Sequence, residues 1–450
     1  MGTAPVLLRT EYNSDYARDR NNGVLWAGRG VSTLVSAGGE LRAGPLSAAV
    51  RPVLTYQENG AFEVRRVALP GYSRELYPGH PGRIDWPLRH GEASFWTVDP
   101  GPSHVRLDAY GAAIGLSNEN LWWGPAQRNP LLLSNTAPGF PHVFLGTSAP
   151  VDVGVGEVTA EVVWGGLRES DWFDADASND RRLFGGLIAS FRPAVFPGLR
   201  IGAARARVSA YDPDAMGWKE RVLAPFGGPD EAGEIRLTSV FARWILPASR
   251  LELYGELVPS DYHWGEEDAA GEERDRHHAY VVGLGKVFTW DRRWIHVYGE
   301  LLQLQNRISL RDNRPTATYY VDEDVPHGHT HAGQMLGAAS GPGSEMQLLG
   351  VDLYASWGSV GLSAERLVYD DDAYWEQKVR NFGFHGHDVE VAMRLRQTLF
   401  VGPARAFWSV GVAHRRNRSF VGLISYHPEM VYGTDINWTG SLGLTWTPGG

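Results

Sequence analysis

The feature that most constrains the fold is an alternation of apolar and polar residues with a period of two. It recurs in strand-length segments, most regularly after about residue 235. In LELYGELV (residues 251–258) the leucines fall on one face and glutamates on the other, and DVEVAMRLRQ (388–397) repeats the pattern with arginines on its polar face. Because side chains of a β-strand point alternately to its two faces, these segments are predicted to be strands with one apolar and one charged face.

The last such segment, WTGSLGLTW (residues 438–446), adds a second constraint. Its apolar face begins at Trp438, continues through Leu442 and Leu444, and ends at Trp446. A strand that crosses an outer membrane needs about 9–11 residues and carries aromatic side chains at both membrane interfaces. The segment therefore has the height and the aromatic ends of a lipid-facing strand.

Composition favours the same class of fold. Among 450 residues there are 54 glycines, 17 tryptophans and 18 tyrosines, and no apolar run approaches the roughly 18 residues that a membrane-spanning helix needs. A helical membrane protein is thereby excluded. A soluble β-sandwich would also show alternation, but here long acidic or glycine-rich loops alternate with short turns, as in outer-membrane barrels.

We therefore predict an all-β protein, a transmembrane outer-membrane β-barrel of 18 antiparallel strands, with 16 as the alternative, at roughly 25 residues per strand and connection. Residues 1–450 are expected to form a single barrel domain, with residues 1–30 a periplasmic N-terminal segment. The N-terminus MGTAPVLLRTEYN lacks the basic and apolar regions of a signal peptide. An outer-membrane location implies that such a peptide has been removed.

Residues 116–147 (LSNENLWWGPAQRNPLLLSNTAPGFPHVFLGT) follow neither a helical nor a clean strand period. Prolines prevent a regular ladder, and the amide side chains can satisfy backbone groups that no strand pairs. The segment is predicted to be an inward loop that plugs the lumen. Aromatic rings beside planar amides are also typical of sugar-binding sites. The predicted carbohydrate contacts are Asn118, Glu119, Asn120, Trp122, Trp123, Arg128, Asn129, Asn135 and His142.

A longer run around the same segment, GLSNENLWWGPAQRNPLLLSNTAPGFPHVFLGTSAPVDVGVGEV followed by WGGLRES, resembles the central signature of the capsule-assembly outer-membrane protein family of the Wzi type. Weaker similarities flank it, in VRPVLTYQENGAF, RIDWPLRHGE, GPSHVRLD and HAGQMLGAASGPGSEMQLLGVDLY. Together they extend over most of the chain.

The resemblance implies an 18-stranded barrel with a periplasmic helical portion, acting as a non-enzymatic lectin that helps to hold capsular polysaccharide at the cell surface. The expected partners are capsular or surface polysaccharide, outer-membrane lipids and lipopolysaccharide, and the capsule export machinery. The chain departs from the family in one respect, because the polar YNSDYARDRNNGVLWAG near the N-terminus does not predict amphipathic helices. The alternative function is a porin-like diffusion channel for small or sugar solutes.

Other functions receive little support from the sequence. The net charge is -10 without a basic track, which argues against nucleic-acid binding. No nucleophile elbow, phosphate loop, HExxH or dinucleotide motif is present, so neither an enzyme nor a cofactor is predicted. The chain has no cysteine, and HGHTH (residues 327–331) is expected to be a solvated histidine-rich loop without a metal. The acidic run 370–372 is expected to be solvated, where it can share divalent cations with lipopolysaccharide phosphates.

Overall fold

The computed structural model describes residues 2–64, 69–73, 75–211, 216–227, 233–259, 278–305, 318–379, 386–420 and 434–447. The acidic loop 260–275 lies outside them. The described residues are mainly β-strands and carry no helix that is long and apolar enough to cross a membrane. The strands are β1 Gly2–Thr3, β2 Val6–Asn13, β3 Gly30–Ser36, β4 Gly39–Ala43, β5 Leu46–Val50, β6 Val53–Gln57, β7 Phe95–Asp99, β8 His104–Ala109, β9 Ala112–Ser117, β10 His142–Thr147, β11 Val151–Asp152, β12 Gly156–Arg168, β13 Arg181–Pro193, β14 Leu199–Ala210, β15 Glu234–Leu246, β16 Leu251–Pro259, β17 His278–Trp290, β18 Arg293–Gln303, β19 Thr330–His331, β20 Gln334–Met335, β21 Glu345–Ala355, β22 Gly358–Tyr369, β23 Asp388–Val401, β24 Ala404–Arg416 and β25 Thr434–Trp446.

Twenty-three of these strands form one antiparallel sheet that closes on itself. β25 pairs on one side with β24 and on the other with β2, which continues the ring to β3. Closure leaves no unpaired edge, which is the condition for β-structure to span a bilayer. β19 and β20 form a separate two-stranded ladder.

Five positions of the ring are each occupied by two consecutive strands, namely β1 with β2, β3 with β4, β5 with β6, β7 with β8 and β10 with β11. The predicted number, 18, thus corresponds to positions in the ring, whereas the strands of the described residues number 25. Prolines explain most of the interruptions, because a proline cannot donate to the ladder. Pro5, Pro52, Pro100 and Pro150 each lie in such a break.

Connections between neighbouring ring positions alternate between short and long. At one end the turns are as short as two residues, for example at 44–45, 110–111 and 402–403, whereas the connections at the other end include residues 14–29, 58–94, 118–141 and 169–180. Short periplasmic turns and long extracellular loops are typical of outer-membrane barrels. The end with long connections is therefore assigned to the cell exterior.

Two expectations about the N-terminus are wrong. The periplasmic segment expected at residues 1–30 includes β1 and β2, which belong to the barrel wall, while residues 14–29 form the first long connection. The two α-helices among the described residues, Trp218–Leu223 (α1) and Asp371–Val379 (α2), lie in long connections rather than in a periplasmic N-terminal portion.

The side-chain alternation follows the sequence-based prediction. On β25, Trp438, Leu442 and Trp446 are exposed on the outer face, and Asn437 and Thr439 are buried on the inner face. The chain is thus apolar outside and polar inside, as a barrel surrounded by lipid requires. A polar interior is stable only if its charges and hydrogen-bonding groups satisfy one another.

A buried ion-pair cluster lies inside the barrel next to β22 and β23. Arg18 and Arg20, from the first long connection, both contact Glu365 of β22 and Glu390 of β23. The Arg18 Nε donates to Glu390 Oε1 at 3.0 Å, and an Arg20 terminal nitrogen donates to the same oxygen at 2.8 Å. The Tyr16 hydroxyl donates to the other Glu390 oxygen at 2.8 Å. The cluster fixes the first long connection against the inner wall.

We expect Glu390→Gln to lower the free energy of unfolding by about 3–5 kcal/mol, because two buried guanidinium groups lose part of their counter-charge. Arg243→Gln, in the solvent-exposed pair with Glu252, is the matched control and should cost at most about 1 kcal/mol. Urea unfolding of both variants in lipid vesicles measures the difference. Equal losses would contradict the role assigned to the cluster.

Candidate functional site

The connection between β9 and β10, residues 118–141, contacts inward-facing side chains of the wall and is called the plug. The predicted plug, residues 116–147, is therefore too long at both ends, since 116–117 and 142–147 belong to strands. The plug is held at its centre by Glu300 of β18, which accepts the backbone N–H groups of Gln127 at 2.8 Å, Arg128 at 3.1 Å and Asn129 at 3.0 Å. The Tyr254 hydroxyl donates to the same carboxylate at 2.7 Å. One acidic side chain of the wall thus satisfies three amides that prolines keep out of a ladder.

Residues 318–344, the described part of the connection between β18 and β21 that follows residue 305, pack against the plug. The Ser134 N–H donates to the Leu336 carbonyl at 2.7 Å, and the Tyr320 hydroxyl donates to the Leu131 carbonyl at 2.6 Å. Leu131, Leu132 and Leu133 are buried between them. The lumen therefore contains an apolar core, to which the two loops contribute together with inward-facing wall residues such as Val163 and Phe184.

Trp123, predicted to stack on a sugar ring, is instead part of this core. It is only 3% exposed, and its ring centroid lies 6.3 Å from that of Phe184 on β13. Gly186 makes room for it on the wall, since a Cβ there would lie 2.6 Å from the indole. The prediction of a stacking role for Trp123 is wrong, because a ring enclosed on both sides offers no face to a ligand.

Three other predicted contacts bond within the plug or to nearby backbone, and a fourth, Asn129, contacts a side chain of the wall. Asn120 Nδ2 donates to the Ala137 carbonyl at 2.7 Å, and Trp122 Nε1 donates to the Ala126 carbonyl at 3.0 Å. Asn129 is buried, and its amide lies 3.0 Å from Met346 Sδ. His142 belongs to β10 and bonds the Phe140 carbonyl at 2.8 Å. These side chains shape the plug.

The remaining predicted contacts lie apart from one another. Asn118 donates to Asp99 at 3.2 Å, and Glu119 pairs with His104 at 3.1 Å, both beside the break between β7 and β8. Asn135 is exposed, next to residue 23 of the first long connection. Arg128 reaches the inner wall, where its guanidinium lies 3.8 Å from Glu365. The structure does not bring the nine residues together in one site.

Arg128 lines a chamber of about 530 Å³ in the lumen, between the plug and the short-turn end. This volume is typical of ligand sites. Its wall combines aromatic rings with planar hydrogen-bonding groups and charges, among them His296, Tyr298, Tyr354, Asp352, Glu365, Arg394, Arg396, Arg405 and Phe407. Sequence reasoning placed the arginines of β23 on a polar strand face but did not connect them with residues on β18, β21 and β24.

Charge is distributed unevenly in the chamber. Arg396 donates to both oxygens of Asp352, at 2.8 and 2.7 Å, and also to the Tyr298 hydroxyl. Arg394 and Arg405 form no ion pair or side-chain hydrogen bond with any described residue. Two guanidinium groups are thus free to bind an anionic or hydroxyl-rich ligand. The planar arrangement of their N–H donors allows two parallel hydrogen bonds to such a ligand.

The three histidines of HGHTH are not solvated. His327, His329 and His331 are all at most 3% exposed, and His329 Nε2 bonds the Leu132 carbonyl of the plug at 2.7 Å. Burial is the main cause that lowers the pKa of His327 and His329 to about 4 and that of His331 to about 3. The prediction of a solvated loop is wrong, because the motif packs against the plug.

The acidic run at 370–372 is also buried. Asp370 accepts a hydrogen bond from His80 at 3.2 Å if that ring nitrogen carries the proton, and it caps the start of α2 through the Ala373 N–H. Asp371 accepts from Trp375 Nε1 at 2.9 Å. The run is structural, so it does not form the solvated face that was expected to contact lipopolysaccharide.

Anchoring of the plug by Glu300 predicts the electrical behaviour of the barrel. Wild-type protein should show no steady conductance in planar bilayers, whereas Glu300→Ala should open intermittently, because three plug amides lose their acceptor. Glu252→Ala, which removes a carboxylate from an exposed pair on a nearby strand, is the control and should remain silent. Steady conductance of the wild type would contradict the plug.

His90 predicts a pH dependence. Its ring is stacked between Trp26 at 4.5 Å and Trp172 at 4.8 Å, and burial lowers its pKa from 6.5 to about 3. The unfolded chain takes up a proton near pH 6.5 and the folded protein only near pH 3. His90 therefore contributes stability above pH 6.5 that is lost as the pH falls towards 3, by at most about 1.4 kcal/mol per pH unit. His90→Phe should flatten this part of a stability profile measured by urea unfolding, and an unchanged slope would contradict the assignment.

Comparison with known proteins agrees with this architecture. The family model described as capsule assembly protein Wzi matches residues 20–356 of the chain. The comparison with curated proteins finds no match. Among solved structures, the chain is similar to Wzi of Escherichia coli, described as an outer-membrane protein involved in group 1 capsule assembly and a carbohydrate-binding β-barrel. The TM-score is 0.64 at 10% identity, over 97% of this chain and 83% of that one.

Two further structures are similar at a lower level. OccAB2 of Acinetobacter baumannii gives a TM-score of 0.45 at 11% identity, and a BenF-like porin of Pseudomonas fluorescens gives 0.45 at 9%. Each alignment covers 99% of this chain and 98% of the other. The family match extends over most of the chain and includes the whole plug. The chain is an outer-membrane β-barrel and belongs to the Wzi capsule assembly protein family.

Proposed function

We propose that this barrel binds capsular or surface polysaccharide without chemical conversion and thereby helps to assemble or anchor it. The observation that carries the proposal is the chamber beneath the plug, whose two unpaired arginines stand among aromatic rings. Sugar rings pack their C–H faces on aromatic side chains, and their hydroxyl or carboxylate groups need planar donors. The family match supports a role in capsule assembly, and E. coli Wzi is itself described as carbohydrate-binding.

The position of the chamber suggests from which side the polysaccharide arrives. The plug and its partner connection lie on the long-loop side, and the Arg396 side chain, 47% exposed, lies towards the short-turn end together with exposed Arg405. Because short turns face the periplasm, a glycan segment would enter from the periplasmic side. This direction suits a protein that receives polysaccharide during assembly, and it makes the export machinery a natural partner.

Among the nine residues predicted from the sequence, we retain Arg128 as a direct contact, because its guanidinium lines the chamber. The other plug residues act indirectly, because they hold Gln127 and Arg128 at the side of the chamber that faces the plug. Outer-membrane lipids contact the opposite, outer face of the wall, which carries the exposed apolar side chains. Lipopolysaccharide remains a proposed partner of that face.

Replacement of the unpaired arginines tests the proposal. In calorimetric titrations of the folded, detergent-solubilised protein with purified capsular polysaccharide, Arg394→Gln and Arg405→Gln should each weaken binding roughly ten- to a hundredfold, since a charge-assisted hydrogen bond contributes about 1.5–3 kcal/mol. The double variant should weaken it further. Arg243→Gln, at an exposed pair outside the chamber, is the matched control and should bind as the wild type does.

Heat-modifiable gel migration establishes that each variant is a folded barrel. Binding that is undiminished in the folded double variant would exclude the chamber as the site. A polysaccharide that is shortened or altered during the titration would contradict binding without conversion.

A further inference from the structure

A cluster of two carboxylates and one imidazole lies on the long-loop side, away from the chamber. Glu169 and Asp174 belong to the connection between β12 and β13, and His327 belongs to the HGHTH motif on the connection before β21. One ligand atom of each residue lies within 4.8 Å of those of the other two. The cluster therefore joins two segments that are far apart in sequence.

Two of the three side chains in the cluster are buried. The His327 and Glu169 side chains are 2% and 6% exposed, and His327 Nε2 lies 2.5 Å from Glu169 Oε2. His327 Nδ1 is buried and has no hydrogen-bond partner among the described residues. Asp174 is only half-buried, which leaves a path from the exterior.

The carboxylates lack a compensating cation. Within the described part of the chain, Glu169 forms its ion pair only with His327, and Asp174 forms none. The Arg182 guanidinium donates to the carbonyl oxygens of Arg168, Gly328 and Thr330 and forms no ion pair with either carboxylate.

The scaffold holds these side chains in place. The Glu169 N–H donates to the Asp180 carbonyl at 2.8 Å, and the His327 carbonyl accepts the Asp85 N–H at 2.9 Å and the Thr330 hydroxyl at 2.7 Å. Asp174 accepts the Asp176 N–H at 2.7 Å. Supporting bonds of this kind orient ligands in metal sites.

We propose that Glu169, Asp174 and His327 bind a divalent transition-metal ion of the zinc type. One imidazole and two carboxylates form a three-ligand set that zinc accepts, with water completing the coordination, whereas calcium and magnesium prefer oxygen ligands alone. The ion would link the connection 169–180 to the HGHTH segment. That segment contacts the plug through His329. The ion would thereby fix the outer side of the plug.

The test is metal binding by the folded, full-length protein in detergent. After treatment with a chelator, incubation with Zn²⁺ and desalting, elemental analysis should find one equivalent of zinc, and Zn²⁺ should raise the midpoint of thermal unfolding. Calcium at the same concentration should do neither. Zinc that is not retained, or a thermal shift equally large with calcium, would overturn the proposal.

Glu169→Gln is the informative variant, because an amide can keep a hydrogen bond to His327 but is a poor ligand. It should fold as the wild type does without metal and lose zinc affinity at least tenfold, and His327→Gln should lose it to a similar extent. His104→Gln is the control, since His104 pairs with a single carboxylate, Glu119, in a more exposed place. Unchanged zinc affinity of Glu169→Gln, or an equal loss with His104→Gln, would show that the ion binds elsewhere.

Discussion

The structure depends on carboxylates that point into the barrel. An apolar outer face is required in lipid, so the carboxylates at the centre of the wall point inside, where each needs a partner. Glu300 accepts hydrogen bonds from three backbone amides of the plug, and Glu390 forms ion pairs with two arginines of the first long connection. The loops that fill the lumen are therefore held by the same alternation that adapts the wall to the membrane.

This dependence separates the lumen into two parts with different roles. On the long-loop side, two connections form a core with leucines, a buried tryptophan and three buried histidines. Beneath it, towards the short-turn end, the inner wall is less completely covered and leaves a chamber with unpaired arginines. Packing density closes the first part to ligands, while the excess of positive charge makes the second part suitable for polar or anionic sugars.

The prolines have opposite effects in the two settings. In the wall, Pro52 and Pro100 interrupt single ring positions without breaking the ring, because the strands resume in the same sheet. In the plug, prolines prevent any ladder, so its amides must be satisfied by side chains such as Glu300. Prolines therefore divide strands in the wall. In the plug they leave backbone amides unpaired, and buried carboxylates of the wall accept hydrogen bonds from these amides.

The sequence by itself determined the class of fold, which side chains of each strand face outwards, and the irregular segment that follows β9, because these follow from local periodicity and from residues that cannot join a ladder. It also indicated the family through an extended run of residues. It did not determine which side chains meet inside the barrel. Trp123 and the HGHTH histidines look like exposed binding groups in sequence, yet they are buried, since burial depends on what the rest of the chain packs against them. The chamber and the Glu169–Asp174–His327 cluster each combine residues from separate elements, and only closure of the ring brings those elements together.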